Sequence, residues 1–126
     1  MGRLTDKVAI VTGAGSGIGK GIAEKFAAEG AIVIVTDLNG EAAQTVAERL
    51  GGTASAYAVD VTDRATIDAM VEGVLAEHGR IDVLVNNAGW DVGKPFVETD
   101  PDLWSKVIAI NYVGTLNTCQ DRKSVV

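Results

Sequence analysis

The sequence is poor in the features that mark several large classes of protein. It holds one cysteine, Cys119, so no internal disulfide can form, and a reducing compartment is expected. It holds one histidine, His78, at the end of a predicted helix where a cation suits the dipole; no second histidine pairs with it, and no metal site is expected. No apolar run approaches the ~20 residues of a membrane span. Residues 1–6 lack the apolar stretch of a signal peptide. Basic residues are outnumbered, and the net charge is −6, which disfavours nucleic acid and anionic membranes as partners. Prolines number two, and there is no low-complexity linker and no internal repeat. These features fit a domain of the reducing cytoplasm, and its apolar content is ordinary for a globular protein.

Glycine is the residue in excess, at 15. Its densest cluster is Thr12-Gly13-Ala14-Gly15-Ser16-Gly17-Ile18-Gly19, between an apolar run and an amphipathic one. That pattern reads as strand, glycine turn, helix. Such a turn presents backbone N–H groups and a positive helix end to a phosphate, with no side chains in the way. An acid, Asp37, closes the next apolar run. The turn, its flanking elements and the acid together point to a dinucleotide site. No Gly-Lys-Ser/Thr follows the glycines, which excludes a P-loop.

The rest of the chain alternates strands with helices. Strands are expected over 7–12, 31–37, 54–60 and 81–86. The first helix shows Ile18, Ile22, Ala23 and Phe26 at helical spacing, as an apolar face, and stops at Gly30. Asn39 caps a helix over 41–50, which Gly51-Gly52 ends. Thr62 or Asp63 caps a helix running to His78, with Ile67, Met70, Val71, Val74 and Leu75 inward and Gly79 as its stop. After a loop over 87–99, Thr99 or Asp100 caps and Pro101 starts a last helix through Trp104, Val107, Ile108 and Ile110. Trp104 is expected on its core face, Trp90 and Asp91 could face a substrate or pack a loop, and Cys119 is expected to be buried. Alternating strands and helices predict an α/β fold: a Rossmann-type, doubly wound parallel sheet with its ligand at the carboxyl ends of the strands.

The Thr12–Gly19 motif, Asn86-Asn87-Ala88-Gly89 after the fourth strand, Asp60-Val61 and Asn111 together resemble the short-chain dehydrogenase/reductase family over residues 4 to 120. Asn86 to Trp90, with Asp91 and Lys94-Pro95-Phe96, is most similar to dehydrogenases of cyclic hydroxyacyl-CoA thioesters and 3-oxoacyl reductases. The resemblance implies that Gly13, Ser16, Gly17, Ile18 and Gly19 hold a pyrophosphate and the adjoining ribose. It implies that Asp60 and Val61 flank the adenine. Asn87, Ala88 and Gly89 would line the middle of the cofactor, and Asn111 would keep a bend in its helix and serve catalysis. The implied activity is NAD-dependent interconversion of a secondary alcohol and a ketone, in a dimer or tetramer, on a small-molecule substrate. Asp37 favours NAD over NADP: its carboxylate can accept from both ribose hydroxyls but repels a 2′-phosphate. No Arg or Lys between Gly13 and Gly19 offsets that repulsion.

The family's catalytic tyrosine and lysine stand four residues apart. Tyr57 is followed at that distance by Val61 and Tyr112 by Leu116, so neither fits, and the accompanying serine is absent. This chain is therefore expected to be inactive alone: residues 1–120 read as the N-terminal part of one NAD-binding domain, ending after the fourth strand and its helix. Residues 121–126 break the apolar periodicity. The codons GAT CGG AAG AGC GTC GTG and a TAG stop encode them and match a widely used sequencing adaptor, so they are expected to be read-through. Two alternatives are a non-catalytic dinucleotide-binding module and an S-adenosylmethionine-dependent methyltransferase, the latter disfavoured by the Thr12–Gly19 spacing and Asn86–Gly89.

Overall fold

Four short apolar runs become the strands of one parallel sheet: β1 (Val8–Val11), β2 (Ile32–Asp37), β3 (Ser55–Ala58) and β4 (Val83–Val85), in the order β3-β2-β1-β4. The computed structural model describes residues 2–122; residues 123–126, most of the expected read-through tail, lie outside them. Helices α1 (Gly17–Ala28), α2 (Gly40–Leu50) and α3 (Arg64–His78) make the crossovers. After β4 come a 3-10 turn (Phe96–Glu98), α4 (Pro101–Ile108), a π turn (Ala109–Val113) and α5 (Gly114–Arg122).

The strands are apolar on both faces because both faces are covered. Val8, Ile10 and Ile34 point to one side, where Ile67, Met70, Val71 and Val74 of α3 bury against them. Val11, Val33 and Val35 point to the other, against Ala23 of α1 and Ala43, Val46 and Ala47 of α2. Each large aliphatic side chain so buried contributes roughly 1.5–3 kcal/mol. The helix ends follow the expected chemistry. Asn39 accepts from the Ala42 N–H, Asp63 from the Ala65 N–H and Asp100 from the Leu103 N–H, each as an N-cap. Gly79 closes α3 in the left-handed region at φ 75°.

Three side chains lie elsewhere than the pattern predicts. Ile18 is 79% exposed: α1 approaches the sheet through Gly19 and Ala23, and its first turn faces the strand ends instead. Trp104 is not in a core, because α4 buries no residue; its ring stacks on Phe96 with centroids 5.6 Å apart, and its indole N–H donates to Thr99 Oγ1. Cys119 is exposed, beside the outer edge of β4, where Asn86 Nδ2 donates to its sulfur at 3.3 Å. Among the described residues that edge pairs with no further strand.

The start of β4 is fastened by a carboxylate. Asp82 accepts from the Val8 N–H at 2.9 Å and from Arg80, and the Arg80 hydrogen bond is the main reason its carboxyl sits below the ordinary range, with the Val8 N–H second. Glu29 is lowered in the same direction by the Arg3 backbone N–H. A carboxyl depressed in the folded state stabilises above its unfolded pKa, about 4, and that contribution is lost as pH falls through the folded value. Acid melts from pH 7 to 3 are therefore expected to show falling stability below about pH 4. Asp82→Asn should cost about 1 kcal/mol at neutral pH and flatten part of that acid slope.

Candidate functional site

The order of strands reverses between β1 and β4, so the connections leave β1 in opposite directions and open a crevice at the carboxyl ends. There the structure holds a cleft of about 540 Å3. Gly13, Ser16, Gly17 and Ile18 form one wall, Asp37 and Leu38 the end of β2, and Val59, Asp60 and Val61 the end of β3. Asn87, Ala88, Gly89 and Trp90 close it from the β4 side, with Lys106 and Ile110 above them. Gly19 and Asn111 are the two predicted site residues that do not line it. Gly19 is buried beneath the turn, and Asn111 stands behind Trp90.

The glycine turn is shaped by what cannot fit there. Gly13 and Gly17 have φ of 64° and 57°, a region that glycine enters without strain. A Cβ on Gly13 would meet the Ala88 Cα at 2.9 Å, and one on Gly19 would overlap Gly13 O and Asn87 Nδ2. A Cβ on Gly15 would meet Asp37 Oδ2 at 2.8 Å. Instead the Gly15 N–H donates to that oxygen, and the Asn39 N–H donates to Asp37 Oδ1. Asp37 thus ties the turn after β1 to the end of β2. Gly17 opens α1 with nothing near its absent Cβ, so the helix N-terminus meets the cleft as bare backbone.

Thr12 is the hub that the motif reading leaves unassigned. It is buried, donates through Oγ1 to Val85 O, and accepts from the N–H groups of Asn87 and Ala88. Asn87 returns the link, its Nδ2 donating to Thr12 O and Gly13 O. At the end of β3, Asp60 Oδ1 accepts from the N–H and hydroxyl of Thr62, which orients its carboxylate at the cleft wall. Asn111 makes a two-way bond with one residue: its Oδ1 accepts from the Trp90 N–H at 2.9 Å and its Nδ2 donates to Trp90 O at 2.8 Å. It does so from the π turn, where one extra residue per turn resets the helix face. Gly114 follows because a Cβ there would strike Val61.

Neither tyrosine stands at the cleft. Tyr57 packs its ring end against Gly73, and burial pushes its phenol pKa up, opposite to what a proton-transferring tyrosine needs. Tyr112 is 64% exposed. Among the described residues no three His, Cys, Asp or Glu side chains come together as metal ligands, and no helix is long and apolar enough to cross a membrane. Sequence reasoning also leaves Lys106, Ile110 and Leu38 outside the site. Lys106 and Ile110 are helical neighbours at i and i+4, but the π turn hides from the sequence which way their face turns.

A single parallel sheet covered by helices on both faces, with a glycine turn at its switch point, is a Rossmann-type fold. A family profile described as short chain dehydrogenase matches residues 7–122, and the chain belongs to that family. This sets aside the methyltransferase alternative. D-threitol dehydrogenase of Mycolicibacterium smegmatis is 46% identical over 94% of this chain and 46% of its own length. Sorbitol dehydrogenase of Cereibacter sphaeroides is 45% identical over 90% of this chain and 44% of its own. A solved 3-ketoacyl-(acyl-carrier-protein) reductase from Brucella melitensis, complexed with NADH, is 33% identical, with a TM-score of 0.91 over 96% of this chain and 50% of that one. The chain spans about half the length of these relatives.

Thr12→Val keeps the side-chain shape but removes the acceptor of the Ala88 N–H and leaves the Asn87 N–H with Val85 O alone. It should destabilise the protein by about 1–3 kcal/mol in denaturant titration, while Thr12→Ser stays close to the parent.

Proposed function

We propose that this chain binds NAD(H) in the cleft and forms the cofactor half of an oxidoreductase that interconverts a secondary alcohol and a ketone. The observation that carries the reading is Asp37, fixed at the cleft wall by the very turn that would hold the pyrophosphate. A carboxylate offers about four acceptor sites. Gly15 and Asn39 donate to its two oxygens, one each, so each retains capacity for a ribose hydroxyl. At Gly17 a Cβ would meet open space, so the start of α1 faces the cleft as bare backbone, while Gly13 and Gly19 lack side chains so that the turn can close against the Asn87–Ala88 loop. The residues present therefore fit a dinucleotide, whose nicotinamide would supply or accept the hydride.

On this reading Ser16, Gly17 and Ile18 meet the pyrophosphate, Asp60 and Val61 the adenine, and Asn87, Ala88 and Gly89 the middle of the cofactor. Gly19 allows the turn to close, and Asn111 acts through Trp90 as a positioning residue for the catalytic half. The Ser/Tyr/Lys groups of the family's chemistry have no counterpart in these 126 residues, so binding without turnover is expected. The substrate is a small secondary alcohol. Relatives named for threitol, sorbitol and galactitol favour a polyol, and the solved reductase favours an acyl thioester. Trp104, Ile108, Tyr112 and Leu116 recur every four residues and are all exposed, which supports a homo-oligomer formed through that stripe. The single cysteine and acidic charge support a cytoplasmic setting without nucleic acid or membrane partners.

Calorimetric titration tests the reading. NADH is expected to bind, with NADPH weaker by about a hundredfold, since each lost charge-assisted bond is worth ~1.5–3 kcal/mol. Asp37→Ser should narrow the gap mainly by weakening NADH. Equal affinity of the parent for both would overturn the assignment.

A further inference from the structure

The cleft wall carries three ionisable side chains: Asp37, Asp60 and Lys106. Both carboxylates already accept hydrogen bonds from neighbouring groups, Asp37 from Gly15 and Asn39, Asp60 from Thr62. Lys106 has no carboxylate partner among the described residues. Its Nζ lies instead over the indole of Trp90, 3.9 Å from the ring centroid. Trp90 is held there through its backbone, by the two bonds to Asn111. The ammonium is thus kept at the cleft by an aromatic face, which attracts a cation without neutralising it. Its charge is available to something else.

We infer that Lys106 is a specificity-determining residue that receives an anionic group, a phosphate or carboxylate, of the molecule bound in the cleft. The inference rests on the dinucleotide reading but goes beyond it, because the glycine turn and Asp37 alone leave Lys106 without a task. The argument is one of charge. The chain is net −6 and the cleft carries two carboxylates, so an incoming pyrophosphate meets a repulsive field. Lys106 is the cationic side chain among the residues lining that cleft, which the positive N-terminus of α1 also lines. Sliding off the indole toward an anion requires only rotation of a flexible four-carbon stem.

Two sources of the anion are separable: the cofactor's own phosphates, or an acidic substrate. The probes are NADH, ADP-ribose and uncharged adenosine, titrated into the parent, Lys106→Gln and Lys106→Arg. Lys106 is exposed on α4, so neither substitution touches the core. If the anion is the cofactor's, Lys106→Gln weakens NADH and ADP-ribose by about fivefold at low salt, the scale of one exposed charge pair. Adenosine is unchanged, Lys106→Arg restores binding, and the difference shrinks at 1 M salt. If the anion is the substrate's, NADH and ADP-ribose are unmoved. Inorganic phosphate or acetate then competes with ADP-ribose no differently in the two proteins, yet quenches Trp90 fluorescence in NADH-loaded parent and not in NADH-loaded Lys106→Gln. Loss of neither dinucleotide affinity nor anion quenching in Lys106→Gln overturns the inference and leaves the dinucleotide reading intact. Failure of the parent itself to bind NADH or ADP-ribose overturns both.

Discussion

The Asn87 carboxamide, resting on the backbone of Thr12 and Gly13, is the contact on which the cleft depends. It joins the loop after β4 to the turn after β1, and it does so across the point where strand order reverses. Two loops leaving adjacent strands in opposite directions have no sheet bonds between them, so something else must set their spacing. Asn87 sets it from one side and the Thr12 hydroxyl from the other, through Asn87 and Ala88. The glycines follow from that spacing. Gly13 and Gly19 lack side chains because Asn87 and Ala88 occupy the volume a Cβ would need. Seen this way, the glycine-rich turn is shaped as much by its partner loop as by any phosphate.

A second tie extends the first. Gly89 leads directly into Trp90, and Asn111 grips Trp90 by both its N–H and its C=O. A carboxamide can satisfy one backbone residue in both directions only if it meets it edge-on, as a neighbouring strand would. The π turn around Asn111 supplies that approach in the middle of a helical run. Asn111 is exposed, and both the oxygen and the nitrogen of its carboxamide are bonded to Trp90. The path runs from Thr12 to Asn87 by hydrogen bonds, along the backbone to Trp90, and on to Asn111 by hydrogen bonds, so it joins the helix to the cleft wall.

Most of the architecture was legible because each local signal agreed with the global one. Continuous apolar strands, N-caps at Asn39, Asp63 and Asp100, and the stop at Gly79 all fell where short-range chemistry puts them. The misplacements share a cause. Ile18, Trp104 and Cys119 are apolar or weakly polar residues on helices whose orientation is fixed by tertiary contacts, not by their own periodicity. Helical spacing tells that Ile18 shares a face with Ile22, but Gly19 and Ala23, the small residues, are what allow α1 to lie close to the sheet. The signal for burial there was smallness, and hydrophobicity pointed the wrong way. Lys106 was invisible for a related reason, since a π turn rotates everything before it relative to everything after.

The charge arrangement then follows from the same geometry. Asp37 accepts from Gly15 through one carboxyl oxygen and from Asn39 through the other, and those bonds fix the turn. The carboxylate is thus structural before it is selective. On the proposed reading, a 2′-phosphate would compete with a group that the turn itself relies on, in addition to meeting its charge. Asp60 is placed by Thr62 in the same manner, and the cleft carries a negative bias that the fold requires. An anionic occupant is compatible with that bias only where positive charge is supplied from elsewhere: from the backbone N–H groups at the start of α1, and from an ammonium held by an indole face and not by a carboxylate.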